Sequence, residues 1–304
     1  MLDGFPIPFT AGVDNEPEFK LLFTFVEEEK APICRLTTWA VADSNHLIEV
    51  LAWLYLRKPR HAARVVETLE PGPASLPGRV LENAIRLLSY DVSNLSERLG
   101  SPDTQVRTGA ERTRDARIEH RDGLLFQHIS WIAAHLRFPA ARAAPPHVRK
   151  ADKGFDGVMI EISSAEASIA RLVLCEDKAS TNPRSLVTSS IWPEIRMIAA
   201  GERDIEILDV VTALLDDMTD VDREGVLAAT NWERARQYRV ALTAGPDQIR
   251  AEGYIHLFRG FEDNAIGAIE TRIAEVMPMM QVRAFLDDLA HRVIERLQTM
   301  SSHV

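Results

Sequence analysis

Two strand-like runs joined by a short polar connection constrain this chain more than any other feature. The first is Phe155–Ile162 (FDGVMIEI) and the second Arg171–Ser180 (RLVLCEDKAS). Residues 163–170 between them are small and polar, which suits a hairpin and so predicts antiparallel pairing. A helical pattern precedes the pair over 117–136, with Leu124, Leu125, Ile129, Ile132 and Leu136 on its buried face. Another follows from about Ser185 to Ala200, interrupted or restarted at Pro193. The expected fold is α/β (α+β): a mixed central sheet flanked by helices, with an additional, mostly helical N-terminal region.

The remaining chain reads more coarsely. Phe19–Val26 has strand composition and ends at the acidic cluster Glu27–Glu29, read as a solvated turn. Residues 43–69 read as helical, capped by Asp43 or Ser44 and broken in two at Pro59. Glu70–Gly78 (EPGPASLPG) reads as a loop, and 79–89 as a further helix. Residues 90–110 are polar with little pattern, which places a domain boundary near 100–110. Residues 202–224 read as an acidic segment. Two more strand-like runs, YRVALT at 238–243 and YIHLF at 254–258, precede a long closing helix at about 281–299.

Composition narrows the function classes. The chain has 304 residues, 46% hydrophobic and 26% charged, typical of a folded globular protein. No apolar run approaches a membrane span, and the first 30 residues lack the basic start and apolar stretch of a secretion signal. Two cysteines, Cys34 and Cys175, make no disulfide framework and no zinc pair. A cytoplasmic protein with no membrane partner is expected. A net charge of −10 argues against a chain that coats nucleic acid indiscriminately, but leaves room for a local basic groove. Such a groove is expected at 137–153, with Arg149, Lys150 and Lys153 as candidate nucleic-acid-binding residues beside Arg137 and Arg142. There is no P-loop, GxGxxG or GxSxG, so neither a bound nucleotide cofactor nor serine chemistry is expected.

One constellation carries chemistry: Asp156 at the start of the first strand, and Glu176-Asp177-Lys178 at the end of the second. Side chains alternate along a strand. Leu172, Leu174, Glu176 and Lys178 therefore share a face that is apolar first and charged where the strand emerges. Antiparallel pairing sets Asp156 beside Glu176. Two converging carboxylates suit a hard divalent ion such as Mg²⁺, with Mn²⁺ able to substitute. Such an ion lowers the pKa of bound water and polarises a phosphate, while Lys178 orients or deprotonates the water and offsets charge. Asp177 faces the other way, and its main-chain carbonyl is its route to a metal.

The arrangement resembles the PD-(D/E)xK nuclease superfamily, through Asp156, Glu176 and Lys178. That superfamily often takes a further Glu or Gln from the preceding helix, which implies Glu119 as a fourth catalytic residue, with Gln127 second. There is no proline before Asp156; Gly154-Phe155-Asp156-Gly157 takes its place. The box Lys153–Gly157 followed by Leu172–Lys178 looks like the HamA-type nuclease subunit of the Hachiman anti-phage defence system. The likeness covers roughly 115–300. It implies a Mg²⁺-dependent DNA endonuclease controlled by a helicase-like partner, with a nuclease-like domain at 106–304 after an α/β region at 1–105. The contrasting expectations are a catalytically silent nuclease-like module that binds DNA or a partner protein, and a stand-alone restriction-type enzyme. Asp156 between two glycine-flanked positions also suits an ordinary turn, and an exposed Glu176–Lys178 pair would contribute under about 1 kcal/mol.

Overall fold

The computed structural model describes residues 22–66, 76, 78–146, 155–163, 165–218 and 221–300. The chain begins with a hairpin, β1 (Phe23–Lys30) and β2 (Cys34–Val41). Three helices follow, α1 (Ser44–Tyr55), α2 (Pro59–Val66) and α3 (Val80–Leu88). Asp43 caps α1, accepting from the His46 main-chain N–H at 3.0 Å. A single turn, α4 (Ser96–Leu99), leads into the 34-residue α5 (Thr104–Arg137). Next come β3 (Arg142–Ala143), β4 (Gly157–Ser163) and β5 (Ser168–Lys178). The helices α6 (Pro183–Leu186) and α7 (Trp192–Ala199) are joined by a π-helical stretch at Val187–Ile191. Then come α8 (Asp204–Asp216), α9 (Arg223–Ala229) and α10 (Trp232–Ala235). The chain closes through β6 (Arg236–Ala244), α11 (Phe261–Asn264), β7 (Arg272–Pro278) and α12 (Val282–Met300).

The seven strands form one mixed sheet in the order β1-β2-β7-β6-β5-β4-β3. Its centre, β2-β7-β6-β5, is parallel, and an antiparallel hairpin closes each side. The mixed α/β architecture expected from the sequence is therefore present. Helices cover both faces. One face packs Phe23, Trp39 and Met277 against α1, α5 and α12. The other packs Leu172, Leu174 and Val240 against α7 and α8.

Several local expectations change. Residues 254–258 are a 3-10 helix rather than a strand. All five are buried, and a short apolar run does not by itself distinguish strand from buried helix. The strand next to β6 is instead β7, disguised by the charged residues Arg272 and Glu275 within RIAEVMP. Glu27–Glu29 lie inside β1, where an edge strand leaves them solvated without a turn. Much of 202–224 is helical, in α8 and α9. The helix read over 117–136 starts at Thr104, because Asp103 caps it through the main-chain N–H groups of Gln105 (2.8 Å) and Val106 (3.3 Å). The division expected between residues 105 and 106 thus falls in the first turn of α5, while β1 and β2 share the sheet with the later strands. Among the described residues no helix is long and apolar enough to cross a membrane.

Arg272 explains why a charge is tolerated in β7. Its guanidinium donates to the carbonyls of Ile33 and Pro32 (both 2.7 Å), Gly267 (2.8 Å) and Ala265 (3.1 Å). It ties the β1–β2 turn to the segment before β7. Hydrogen bonds to a charged donor contribute more than neutral ones, and their loss strands the carbonyls. Arg272→Met is expected to lower stability by about 3 kcal/mol, read as a shift in the urea midpoint at unchanged m-value.

Candidate active site

β5, β6 and β7 run parallel and end together, with Lys178 beside Leu242 and Leu242 beside Val276. The carboxyl edge of parallel strands is where open α/β sheets commonly place ligands. β4 returns antiparallel to β5, with Gly157 opposite Cys175. One step further along that register, Asp156 faces Glu176. Ser180, just beyond β5, donates its main-chain N–H to the Thr243 hydroxyl at 2.9 Å, and that hydroxyl donates to the Ser180 carbonyl at 3.1 Å. The rim of β5 is thereby fastened to β6.

Three sequence-predicted residues come together there. The Lys178 ammonium donates to Asp156 Oδ2 and lies 3.1 Å from Glu176 Oε2. Asp156 and Glu176 are only 6% and 7% exposed, so this is no solvated surface pair. Asp156 Oδ2 also accepts the Asp177 main-chain N–H at 2.8 Å. From α5, which packs on the other face of the sheet, the Gln127 amide donates to Asp156 Oδ1.

The electrostatics follow from burial. Glu176 is pushed up to about 7, first by desolvation and then by Asp156 beside it, against the pull of Lys178. Burial also works against charge on Lys178, yet Glu176 and Asp156 hold the ammonium above the usual lysine range. The two acids thus favour the charged form of Lys178, which stands as a donor to both. Asp177 is pushed up to about 6 by burial, with Arg239 opposing.

The residues present suit a divalent cation. A positive group already sits between the two carboxylates, and the donor atoms are oxygens, which hard ions prefer. Among the described residues no three His, Cys, Asp or Glu side chains gather as a ready metal cluster. The residues that would hold such an ion are Asp156 and Glu176, with Gln127 bonded to Asp156 from the helix side.

Other expectations resolve differently. Glu119 is 63% exposed and paired with Arg283 at 3.0 Å. It lies eight residues before Gln127 on α5, about 12 Å along the axis and roughly 80° round it. Gln127, the second candidate, is the helix residue at the site. The Asp177 side chain points to the opposite face, as expected, but is buried: it accepts from Ser130 Oγ at 2.7 Å and Arg239 at 3.0 Å. Only its main-chain carbonyl is left as a ligand. Arg149, Lys150 and Lys153 lie outside the described residues. Arg137, counted in the same basic segment, is turned inward to Glu275 and also binds Glu27. Both cysteines are buried free thiols. Sequence reasoning did not single out Ser130, Arg239 or Glu275. The available signal was a charge within each of two otherwise apolar runs, Arg239 in YRVALT and Glu275 in IAEVM, which calls for a buried partner.

No protein-family model, curated protein or solved structure matches this chain.

The raised Glu176 carboxyl makes a testable statement about stability. A carboxyl with a higher pKa folded than unfolded favours the fold below its unfolded value, and that contribution fades as pH rises towards about 7. Glu176→Gln removes the ionisation. In EDTA, its Tm relative to the wild type is expected to be higher at pH 8 than at pH 5; a difference independent of pH would contradict the assignment.

Proposed function

We propose that the chain is a divalent-cation-dependent nuclease that hydrolyses phosphodiester bonds in DNA, with its centre at Asp156, Glu176 and Lys178. The observation that carries this reading is the convergence of two buried carboxylates on one ammonium at the carboxyl rim of a mixed sheet. The resemblance of those residues and their setting to PD-(D/E)xK nucleases supports the reaction class. The further likeness to the nuclease subunit of Hachiman systems supports a cytoplasmic role in anti-phage defence, under the control of a helicase-like partner.

When bound, Mg²⁺ or Mn²⁺ supplies charge neutralisation at the phosphate and a more acidic water. Asp156 and Glu176 hold that cation, and they need to be ionised to do so. The elevated Glu176 pKa therefore weakens cation binding below about pH 7 and strengthens it above. Gln127 steadies Asp156 from the helix side. Lys178, whose charged form the two acids favour, orients the attacking water by donation and offsets the negative charge that builds on the phosphate. Thr243 and Ser180 keep the rim in place while the substrate binds.

Plasmid nicking by the purified chain with Mg²⁺, Mn²⁺ or EDTA tests the reading. Cutting is expected with either ion and none in EDTA. Lys178→Ala is expected to slow it by about 10²–10³-fold, the range for losing one preorganised charge donor. Gln127→Ala is expected to slow it about 10–100-fold, as for residues that orient a ligand, while Glu119→Ala leaves the rate unchanged. No cutting under any of these conditions, together with no calorimetric Mn²⁺ binding that Asp156→Ala removes, would instead favour a nuclease-like module that only binds.

A further inference from the structure

Behind the site, on the α5 side of the sheet, lies a line of charges with no direct contact to the Lys178 ammonium. Asp177 (3% exposed), Arg239 (0%) and Glu275 (0%) sit on the adjacent strands β5, β6 and β7. Arg239 lies between the two acids. It donates to Asp177 Oδ1 at 3.0 Å through Nη1, and to Glu275 through Nη2. It also reaches α5, donating to Ser130 Oγ at 2.9 Å and to the Ser130 carbonyl at 3.3 Å. Ser130 in turn donates to the same Asp177 oxygen at 2.7 Å. Beyond Glu275 the line continues through Arg137 to Glu27.

Such a line is not the cheapest way to fill a core. Apolar residues of the same volume are often as stable or more so than a buried ion pair, so stability alone is a weak reason for one. Its position suggests a purpose. Asp177 carries two commitments, one in the plane of the sheet and one on the α5 face. Its side chain is fixed by Arg239 and Ser130, and its main-chain N–H donates to Asp156 Oδ2 at 2.8 Å. The guanidinium's planar fork spans two carboxylates at once, which a lysine could not do. The β5–β6 ladder sets Asp177 beside Ala241; the fork holds its side chain, and so bears on how squarely its main-chain N–H meets the Asp156 carboxylate.

We propose that Arg239, held by Glu275, is a positioning residue: acting through Asp177, it presents the main-chain N–H that fixes the Asp156 carboxylate for cation binding. The geometric part stands alone, and its consequence for the cation rests on the nuclease reading.

Removing Arg239 alone would leave two buried acids without their shared cation and risks unfolding the chain. The test is therefore the triple variant Asp177→Asn/Arg239→Met/Glu275→Gln, which removes the three charges together and keeps the Asp177 position's main-chain N–H. Circular dichroism checks that the fold is kept. If it is lost, Arg239→Lys replaces the triple variant, since it keeps a cation between the two acids but cannot span both as the planar fork does.

The first arm is NMR in EDTA with ¹⁵N labelling, following the amide at position 177. A carboxylate acceptor draws that proton downfield. Asp156→Asn provides the reference for its weakening. The amide is expected to move upfield in the folded variant, towards its position in that reference. An amide that keeps its wild-type shift overturns the proposal.

The second arm is calorimetric Mn²⁺ binding and steady-state cleavage. A cation dissociation constant raised about 10–100-fold is expected, with kcat lowered and KM for DNA unchanged. Unchanged Mn²⁺ affinity and kcat would overturn the link to the cation. If the wild type itself neither binds Mn²⁺ nor cuts DNA, while the amide moves as expected, the nuclease reading fails and the positioning of Asp156 stands.

Discussion

A carboxylate removed from water is tolerated only where a cation or donors replace the water, and this sheet is arranged around that requirement. Asp156, Glu176, Asp177 and Glu275 are all buried within or at the end of its strands. Lys178 answers the first two and Arg239 the last two. Leaving either group of acids without its cation would cost several kcal/mol. The strand order thus serves an electrostatic purpose as well as a packing one. It sets β5 between β4, which brings Asp156, and β6, which brings Arg239, with Glu275 one strand further on.

Alternation along β5 divides this work between the two faces. Leu172 and Leu174 pack towards α7 and α8, and the same face ends in Glu176 and Lys178 at the rim. Val173 and Cys175 pack towards α5, and that face ends in Asp177. Three consecutive residues therefore deliver two charges to an accessible rim and one to the interior. Only the rim charges can meet a substrate, and Lys178 alone of the three is partly exposed, at 26% of its side chain. Asp177 links the rim to the interior, because its main-chain N–H, in the plane of the sheet, holds Asp156 while its side chain enters the α5 face.

Much of this was legible beforehand, for physical reasons that differ by element. The small, polar connection turned the chain back, so antiparallel pairing was legible; the register that sets Asp156 opposite Glu176 also depends on an irregularity between Glu161 and Ile162, which alternation does not show. Asp43 and Pro59 delimited the first helices by local chemistry. β7 was not legible: Arg272 and Glu275 break its apolar pattern, and each is satisfied by partners far away in sequence. Tyr254–Phe258 misled in the opposite direction, since complete burial makes a 3-10 helix as apolar as a strand. Glu119 and Gln127 were both plausible on the helix. Only the path of α5 past the end of β4 separates the one that reaches Asp156 from the one that faces Arg283.

The sequence by itself determined the local geometry of the site: a hairpin, two carboxylates and an ammonium on one face at a strand end. Those follow from residue type and spacing within a segment of some 25 residues. Tertiary structure decided the rest: which helix side chain joins Asp156, that two buried acids favour the charged form of Lys178, and that Arg239 and Glu275 stand behind Asp177. These depend on strand order and on how deeply each group is withdrawn from water. Both are set by contacts between residues tens to more than a hundred positions apart, which no local pattern encodes.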